Sequence, residues 1–401
     1  MNRAIPSRSL ALASPAQAPT RRSPAAGLFR SLLLLAAATA SACGEKASVS
    51  QGVKIGFFGA LTGPTATFAI SGRQGVLLAA DERNRAGGVL GRPIEVLAED
   101  DRGEAAEAAT AVSKLITRDH VVALIGEQAS SRTLAAAPIA QSYGVPLISP
   151  TSTNVEVTKK GDYIFRACFI DAYQGQVLST FARKNLKAST AAILTDTRSD
   201  YSVGLADAFR TAFTAAGGRI VGEAKYAEGD SDFSAQLTAL RASNPDVLFV
   251  PGYYTDAGLI ARQARSLGLK ATLLGADGWD SPKLTEIGGE AIEGAYLSNH
   301  YSVDDPSPAV RKFVDAYRAK YGTDPDSIAA SSYDAMRLIA DAIERAGSTE
   351  GKRIRDTLAA TKNFPGVTGS ITMDADRNPI KPAVVLKVEK GRFRFADTIA
   401  P

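Results

Sequence analysis

The sequence predicts an α/β protein of two similar lobes, each a parallel β-sheet with helices on both faces. Three observations carry that prediction. Short β-branched runs alternate with stretches of helical apolar period along most of the chain. The order strand, loop, helix, Gly-Gly, basic residue, strand occurs twice, passing through Gly87-Gly88 and then through Gly217-Gly218. Two late helical stretches, 310–321 and 333–345, have no strand between them and are left to pack back on the first lobe. The chain therefore crosses between lobes more than once.

In order, residues 53–58 read as a strand and 72–85 as a helix stopped by Gly87-Gly88. A strand follows at 94–98. Ala105, Ala108, Ala109, Val112, Leu115 and Ile116 then mark one helix face. Strand 121–125, helix 133–143 and strand 145–148 complete the first series. The second series opens with strand 191–194 and a helix whose apolar face is Leu205, Ala208, Phe209, Ala212, Phe213 and Ala216. Further strands start at Ile220 and cover 247–250 and 272–274. Crossings are expected near Ile170, His300 and Gly369. They divide the chain into a first lobe of residues 53–170 plus 301–369 and a second lobe of 171–300 plus 370–401.

The chain has 401 residues, enough for two or three domains, and its 45% apolar and 22% charged residues exclude a disordered chain. Of 46 basic residues, five (Arg3, Arg8, Arg21, Arg22 and Arg30) lie in an acid-free stretch before residue 43. That leaves 41 basic against 42 acidic residues in the main body, which gives no electrostatic case for nucleic acid. Two Cys and two His leave little for a metal site or a disulfide framework, and no cofactor is expected. There is no G-x-S-x-G, Walker loop, G-x-G-x-x-G or H-E-x-x-H, so no enzyme is predicted.

The N-terminus reads as an address. A basic region, the short run Leu32-Leu33-Leu34-Leu35 and small residues up to Cys43 form a secretory signal over residues 1–43. The run is shorter than the roughly 20 residues a membrane span needs. Ala40-Ser41-Ala42-Cys43 resembles a bacterial lipobox, with Ala where Leu is usual, and implies lipidation at Cys43. Residues 44–52 read as a tether. Cys168 would then be a lone, buried, inert thiol.

Open parallel sheets bind ligands beyond the carboxyl ends of their strands, so the loops there are the place to look. After Ile125 comes Gly126-Glu127-Gln128-Ala129-Ser130-Ser131-Arg132, leading into a helix. Hydroxyls and free N–H groups at a helix start suit a carboxylate, although Ser130 could equally be a plain N-cap. After Ile148 comes Ser149-Pro150-Thr151-Ser152-Thr153-Asn154, a hydroxyl-rich loop or a solvated turn. In the second lobe, Tyr201, Tyr253 and Asp277 follow strands: two amphipathic rings that suit a cleft wall or a packed surface, and one acid that suits a cation or a turn. Anion-binding groups on one lobe and a carboxylate with aromatic rings on the other fit an α-amino acid.

On these residues the chain resembles the periplasmic leucine/isoleucine/valine-binding proteins of bacterial ABC transporters, over about residues 53–395. The most specific segments are Gly59-Ala60-Leu61-Thr62-Gly63-Pro64, Leu147 to Asn154, Gly252-Tyr253-Tyr254, and Arg262 to Leu269. The resemblance implies a type I periplasmic binding protein: two Rossmann-like lobes with parallel central sheets, joined by a three-crossing hinge. It implies that Ser130, Thr151 and Thr153 hold a ligand carboxylate and that Tyr201 and Tyr253 close over the ligand. Asp277 would pair with the ammonium, and Phe68 would line the side-chain pocket. The family's branched-chain binders usually carry Glu where this chain has Asp277. The implied protein is a periplasmic lipoprotein and a monomer, delivering an amino acid to an ABC permease. The alternatives are cargo of amide, urea or aromatic-acid type, or a ligand sensor of the same fold.

Overall fold

The computed structural model describes residues 52–400. The signal, its lipobox and Cys43 lie outside the described residues, as does nearly all of the tether.

The first sheet has five parallel strands in the order β2-β1-β3-β4-β5: β1 (Val53–Gly59), β2 (Ile94–Asp100), β3 (Ala123–Ile125), β4 (Leu147–Ser149) and β5 (Ile164–Arg166). The interior strand β1 is almost wholly apolar because both its faces are covered, while β2 at the edge carries three acids and is mostly half-buried. Helices α1 (Ala66–Arg85), α2 (Ala105–Thr117) and α3 (Ser130–Tyr143) connect these strands. The late helices α9 (Pro308–Tyr321), α10 (Ser327–Ala346) and α11 (Gly351–Ala359) return to this lobe, where α10 packs along α1. That contact is close enough to need a glycine: a Cβ on Gly75 would stand 2.1 Å from the Ala329 carbonyl oxygen.

The second sheet has seven strands in the order β14-β13-β10-β9-β8-β6-β7. Its parallel part is β6 (Thr190–Asp196), β7 (Arg219–Tyr226), β8 (Val247–Phe249), β9 (Thr272–Gly275) and β10 (Tyr296–Asn299). Helices α4 (Asp171–Lys184), α5 (Asp200–Ala215), α6 (Ser234–Ala242), α7 (Tyr254–Ser266) and α8 (Pro282–Gly288) belong with it. Beyond these parallel strands, β13 (Ala383–Glu389) and β14 (Arg392–Ile399) form a hairpin that adds antiparallel to β10. A two-residue connection at Lys390-Gly391 allows only an antiparallel return.

The chain passes three times between the sheets: from β5 to α4, from β10 to α9, and from the small hairpin β11 (Phe364–Gly366)/β12 (Gly369–Ile371) to β13. Met373 still packs with the first-lobe core, so the last passage falls downstream of Gly369. The passages are strapped together. The buried Lys381 donates to the Ala167 carbonyl (2.9 Å) and to Thr368 Oγ1 (2.8 Å), and the buried Arg166 donates to the Ser152 and Asn154 carbonyls. Cys168 is free and buried between them, and burial pushes its thiol up to about 12, so it is inert as expected.

Candidate functional site

Six of the seven residues singled out in the sequence meet at one cavity between the lobes. Phe68, Ser130, Thr151, Tyr201, Tyr253 and Asp277 line it, together with Gln128, Gly278 and Ile328. Its walls stand close: about 230 Å³ separates them, and the centre of a water molecule can occupy only about 10 Å³ of that. Phe68 is edge-on to Tyr253 and Tyr254 across the gap. Thr67 Oγ1 lies 2.9 Å from Ser281 Oγ, and Asn154 Nδ2 donates to the Asp200 carbonyl (2.8 Å). The lobes are thus shut, and a solute of amino-acid size enters only when they part.

Phe68 and Tyr201 sit on helices and not on the expected loops. Gly63-Pro64 makes the turn and α1 starts directly after it at Ala66, which places Phe68 in the first turn. Tyr201 is the second residue of α5, whose N-cap is Ser199. Thr153 is not part of the cavity wall. It is buried at the first hinge passage, where its carbonyl accepts from Asp171 N (2.9 Å) and its hydroxyl acts on the Asp171 carboxylate.

The first-lobe wall is built by the loop 126–130 leaning on the loop 149–154. Ser149 Oγ (2.6 Å) and Ser152 Oγ (2.9 Å) both donate to the Glu127 carbonyl, and Thr151 Oγ1 donates to the Gln128 carbonyl (3.0 Å). The hydroxyl-rich loop thus spends its hydrogens on holding its neighbour, and Thr151 offers its hydroxyl to the backbone and not to an anion. Beneath it Glu127 is buried and paired with Arg132 at 3.1 Å. Plain capping by Ser130 is excluded, because α3 starts at Ser130 and its N-cap is Ala129, which has no side chain to cap with. Ser130 Oγ accepts from Asn154 N (3.2 Å), and among the described residues no acceptor takes its hydrogen. The side-chain amide of Gln128 is buried with neither atom partnered. Two donors at a helix N-terminus, Ser130 and Gln128, are left facing the cavity.

The second-lobe wall centres on Asp277, which is buried in a 3-10 turn just after β9. Gln174 Nε2 and Tyr201 Oη both donate to its Oδ1 at 2.8 Å, and His300 Nε2 stands 3.1 Å from Oδ2. Burial pulls the His300 pKa down, outweighing the carboxylate beside it. The neutral ring then carries its hydrogen on Nε2, since a carboxylate only accepts. Burial and the Asp277 charge hold the Tyr201 hydroxyl well above its ordinary range, so it stays a donor. Gly278 must be glycine: a Cβ there would lie 2.7 Å from the Gly252 carbonyl oxygen and 3.1 Å from the Tyr201 ring. Tyr253 stacks on Tyr201 with centroids 5.4 Å apart, and Ile328 adds an apolar side.

A second buried acid stands behind this wall. Asp171 at the start of α4 is buried, and burial pushes it up to about 8 against the Thr153 hydroxyl beside it, with Asp277 adding to the rise.

Residues 52–392 match the family model described as periplasmic binding protein. The chain belongs to that family. This periplasmic binding protein is 41% identical to a leucine binding protein of Thermotoga maritima over 87% of this chain and 99% of that one, with a TM-score of 0.84. It is 37% identical to a branched-chain amino acid transporter substrate binding protein of Streptococcus pneumoniae, solved with isoleucine. That match covers 88% of this chain and 100% of the other, with a TM-score of 0.83. A leucine-, isoleucine-, valine-, threonine- and alanine-binding protein of Pseudomonas aeruginosa is 32% identical over 87% of this chain and 92% of its own length. No helix among the described residues of this binding protein is long and apolar enough to cross a membrane.

Sequence reasoning missed Gln128, Gln174 and His300. Gln128 was within reach, two residues before Ser130 in the same loop. Gln174 and His300 are 103 and 23 residues from Asp277, and only the folding of the second lobe brings them to it.

Proposed function

We propose that this chain captures an α-amino acid, of branched-chain type, between its lobes and delivers it to a membrane permease. The observation that carries the reading is a division of labour in one cavity: unspent donors, Ser130 and Gln128, on the first-lobe wall, and the single carboxylate Asp277 on the other. The α-carboxylate goes to Ser130, Gln128 and the start of α3. The ammonium goes to Asp277, whose Oδ2 carries only the His300 bond. The side chain goes to Phe68, Tyr253 and Ile328. Tyr201, Gln174 and His300 act as positioning residues that aim Asp277.

In this reading the lobes divide at residues 170, 300 and 369 or shortly after, open to admit the solute, and close on it. The protein acts as a monomer without catalysis, tethered in the periplasm by a lipid on Cys43. That tether raises its local concentration at the permease. The names of the similar proteins, which bind leucine, isoleucine and their relatives, support the branched-chain assignment. A carboxylic acid without an amine would leave Asp277 shut in unpaired, at a cost of about 3–5 kcal/mol. Calorimetric titration of leucine, isoleucine, valine and benzoate tests this. Tight binding of the amino acids and none of benzoate is expected; the reverse order overturns the reading.

A further inference from the structure

The hydrogen bonds that join the lobes beside the first cavity are made by residues that do not line it. One group ties the start of α1 to the second lobe: Thr67 N donates to Tyr254 Oη (3.3 Å), and Thr255 Oγ1 donates to the Pro64 carbonyl (2.9 Å). In the other group, two first-lobe side chains hold a single residue. Asp200 is the first residue of α5, so its N–H has no partner within the helix, and it donates to Ser131 Oγ (2.9 Å) in α3. The Asp200 carbonyl accepts from Asn154 Nδ2 (2.8 Å).

These residues flank the cavity walls without belonging to them. Ser131 follows Ser130, Asp200 precedes Tyr201, and Asn154 N donates to Ser130 Oγ. Helix α5 is shaped for the grip. Gly204 lies one turn beyond Asp200, and a Cβ there would stand 2.9 Å from Asn154 Nδ2 and 3.3 Å from Asp171 Oδ2, the tighter contact being the one across the lobes. A side chain at this position would push Asn154, and with it the loop 149–154, away from α5.

Ser131 and Asn154 belong to one lobe, Asp200 and Gly204 to the other, so both bonds exist only while the lobes are shut. A contribution made only in the closed form shifts the closure equilibrium by the same factor whatever lies between the walls. We propose that Ser131, Asn154 and Gly204 are positioning residues that form a clasp on the start of α5. The clasp sets how far the protein favours its closed form, with or without a solute. It thereby scales the affinity for every solute alike and leaves selectivity to the cavity walls. The effect on affinity, unlike the effect on closure, rests on reading the first cavity as an amino-acid site.

Gly204→Ala inserts a wedge while removing no polar group, and alanine is the better helix former, so the fold itself is not weakened. Leucine, isoleucine and valine are titrated into the full chain by calorimetry. Gly204→Ala should weaken all three by one common factor, about tenfold or more, with the wild-type ratios among them kept. Ser131→Ala, which removes one neutral hydrogen bond, should weaken all three about two- to tenfold. The ligand-free melting midpoint should not fall in Gly204→Ala. Small-angle X-ray scattering of the ligand-free chain should give a larger radius of gyration for Gly204→Ala than for the wild type, and saturating leucine should bring the two together. The clasp is overturned if either variant binds the three amino acids as the wild type does, or if the ratios among them change. It is also overturned if the ligand-free radii are equal, or if the ligand-free melting midpoint falls with the affinity in both variants, which would make these residues supports of the fold and not of closure. If leucine fails to bind the wild type while the ligand-free radius still grows in Gly204→Ala, the proposed function is refuted and the clasp stands.

Discussion

The two walls of the first cavity are made in opposite ways. The first-lobe wall is local: residues 126–130 and 149–154 hold one another through hydroxyl-to-carbonyl bonds, and what they present are groups left over, Ser130 and Gln128. The second-lobe wall is one atom group, the Asp277 carboxylate, held by side chains from α4, α5 and the end of β10. A wall of several leftover donors degrades by steps when residues are removed. A wall with a single acceptor fails at once.

The largest effect should therefore come from the second wall. Asp277→Ala should weaken leucine binding on the order of a hundred- to several-thousandfold, about 3–5 kcal/mol, measured by calorimetry. Ser130→Ala removes one donor of several and should cost about 1.5–3 kcal/mol in the same titration. If the two losses are equal, the contrast between the walls is wrong.

The acid behind the second wall gives a pH test. Folding raises the Asp171 pKa from its ordinary value near 3.8 to about 8. The folded state holds a proton there that the unfolded chain has lost. The stability this contributes is full below about pH 4 and disappears as pH rises through 8. Arg166, which lowers the pKa, and Asp277, which raises it, both act on this group. Asp171→Asn keeps the shape and removes the titration. It should flatten the fall of denaturation midpoint between pH 4 and 8 and stabilise the protein at pH 8 by about 1–3 kcal/mol. An unchanged pH profile would place the titration elsewhere. The smallest effect should be Ile328→Val, about 0.5–1.5 kcal/mol off leucine binding. Alanine affinity should change less, because its side chain does not reach that far.

The same contrast explains what could be read from the sequence. Strands such as Val53–Gly59 and helices such as Ala105–Thr117 carry their own period, and the donor loops follow their strands directly, so fold and first wall were legible. The supports of Asp277 were not, because Gln174 and His300 reach it only through the tertiary fold. Thr153 stands outside the cavity lining for a related reason. Nothing in a run of five polar residues and a proline distinguishes the hydroxyls that face a cavity from those that tie a loop, and Ser149, Thr151 and Ser152 all tie it. The hairpin β13–β14 did carry a local signal, the β-branched run Ala383–Val388 and the alternation Arg392–Phe395, so its omission was not forced by the sequence.

The most direct measurement is a set of titrations that crosses ligand groups with wall residues. Leucine, leucinamide and 4-methylpentanoate are titrated into the wild type, Ser130→Ala and Asp277→Asn. The account predicts that Ser130→Ala narrows the gap between leucine and leucinamide only, while Asp277→Asn narrows the gap between leucine and 4-methylpentanoate only. Equal weakening of all three ligands by either variant would contradict it.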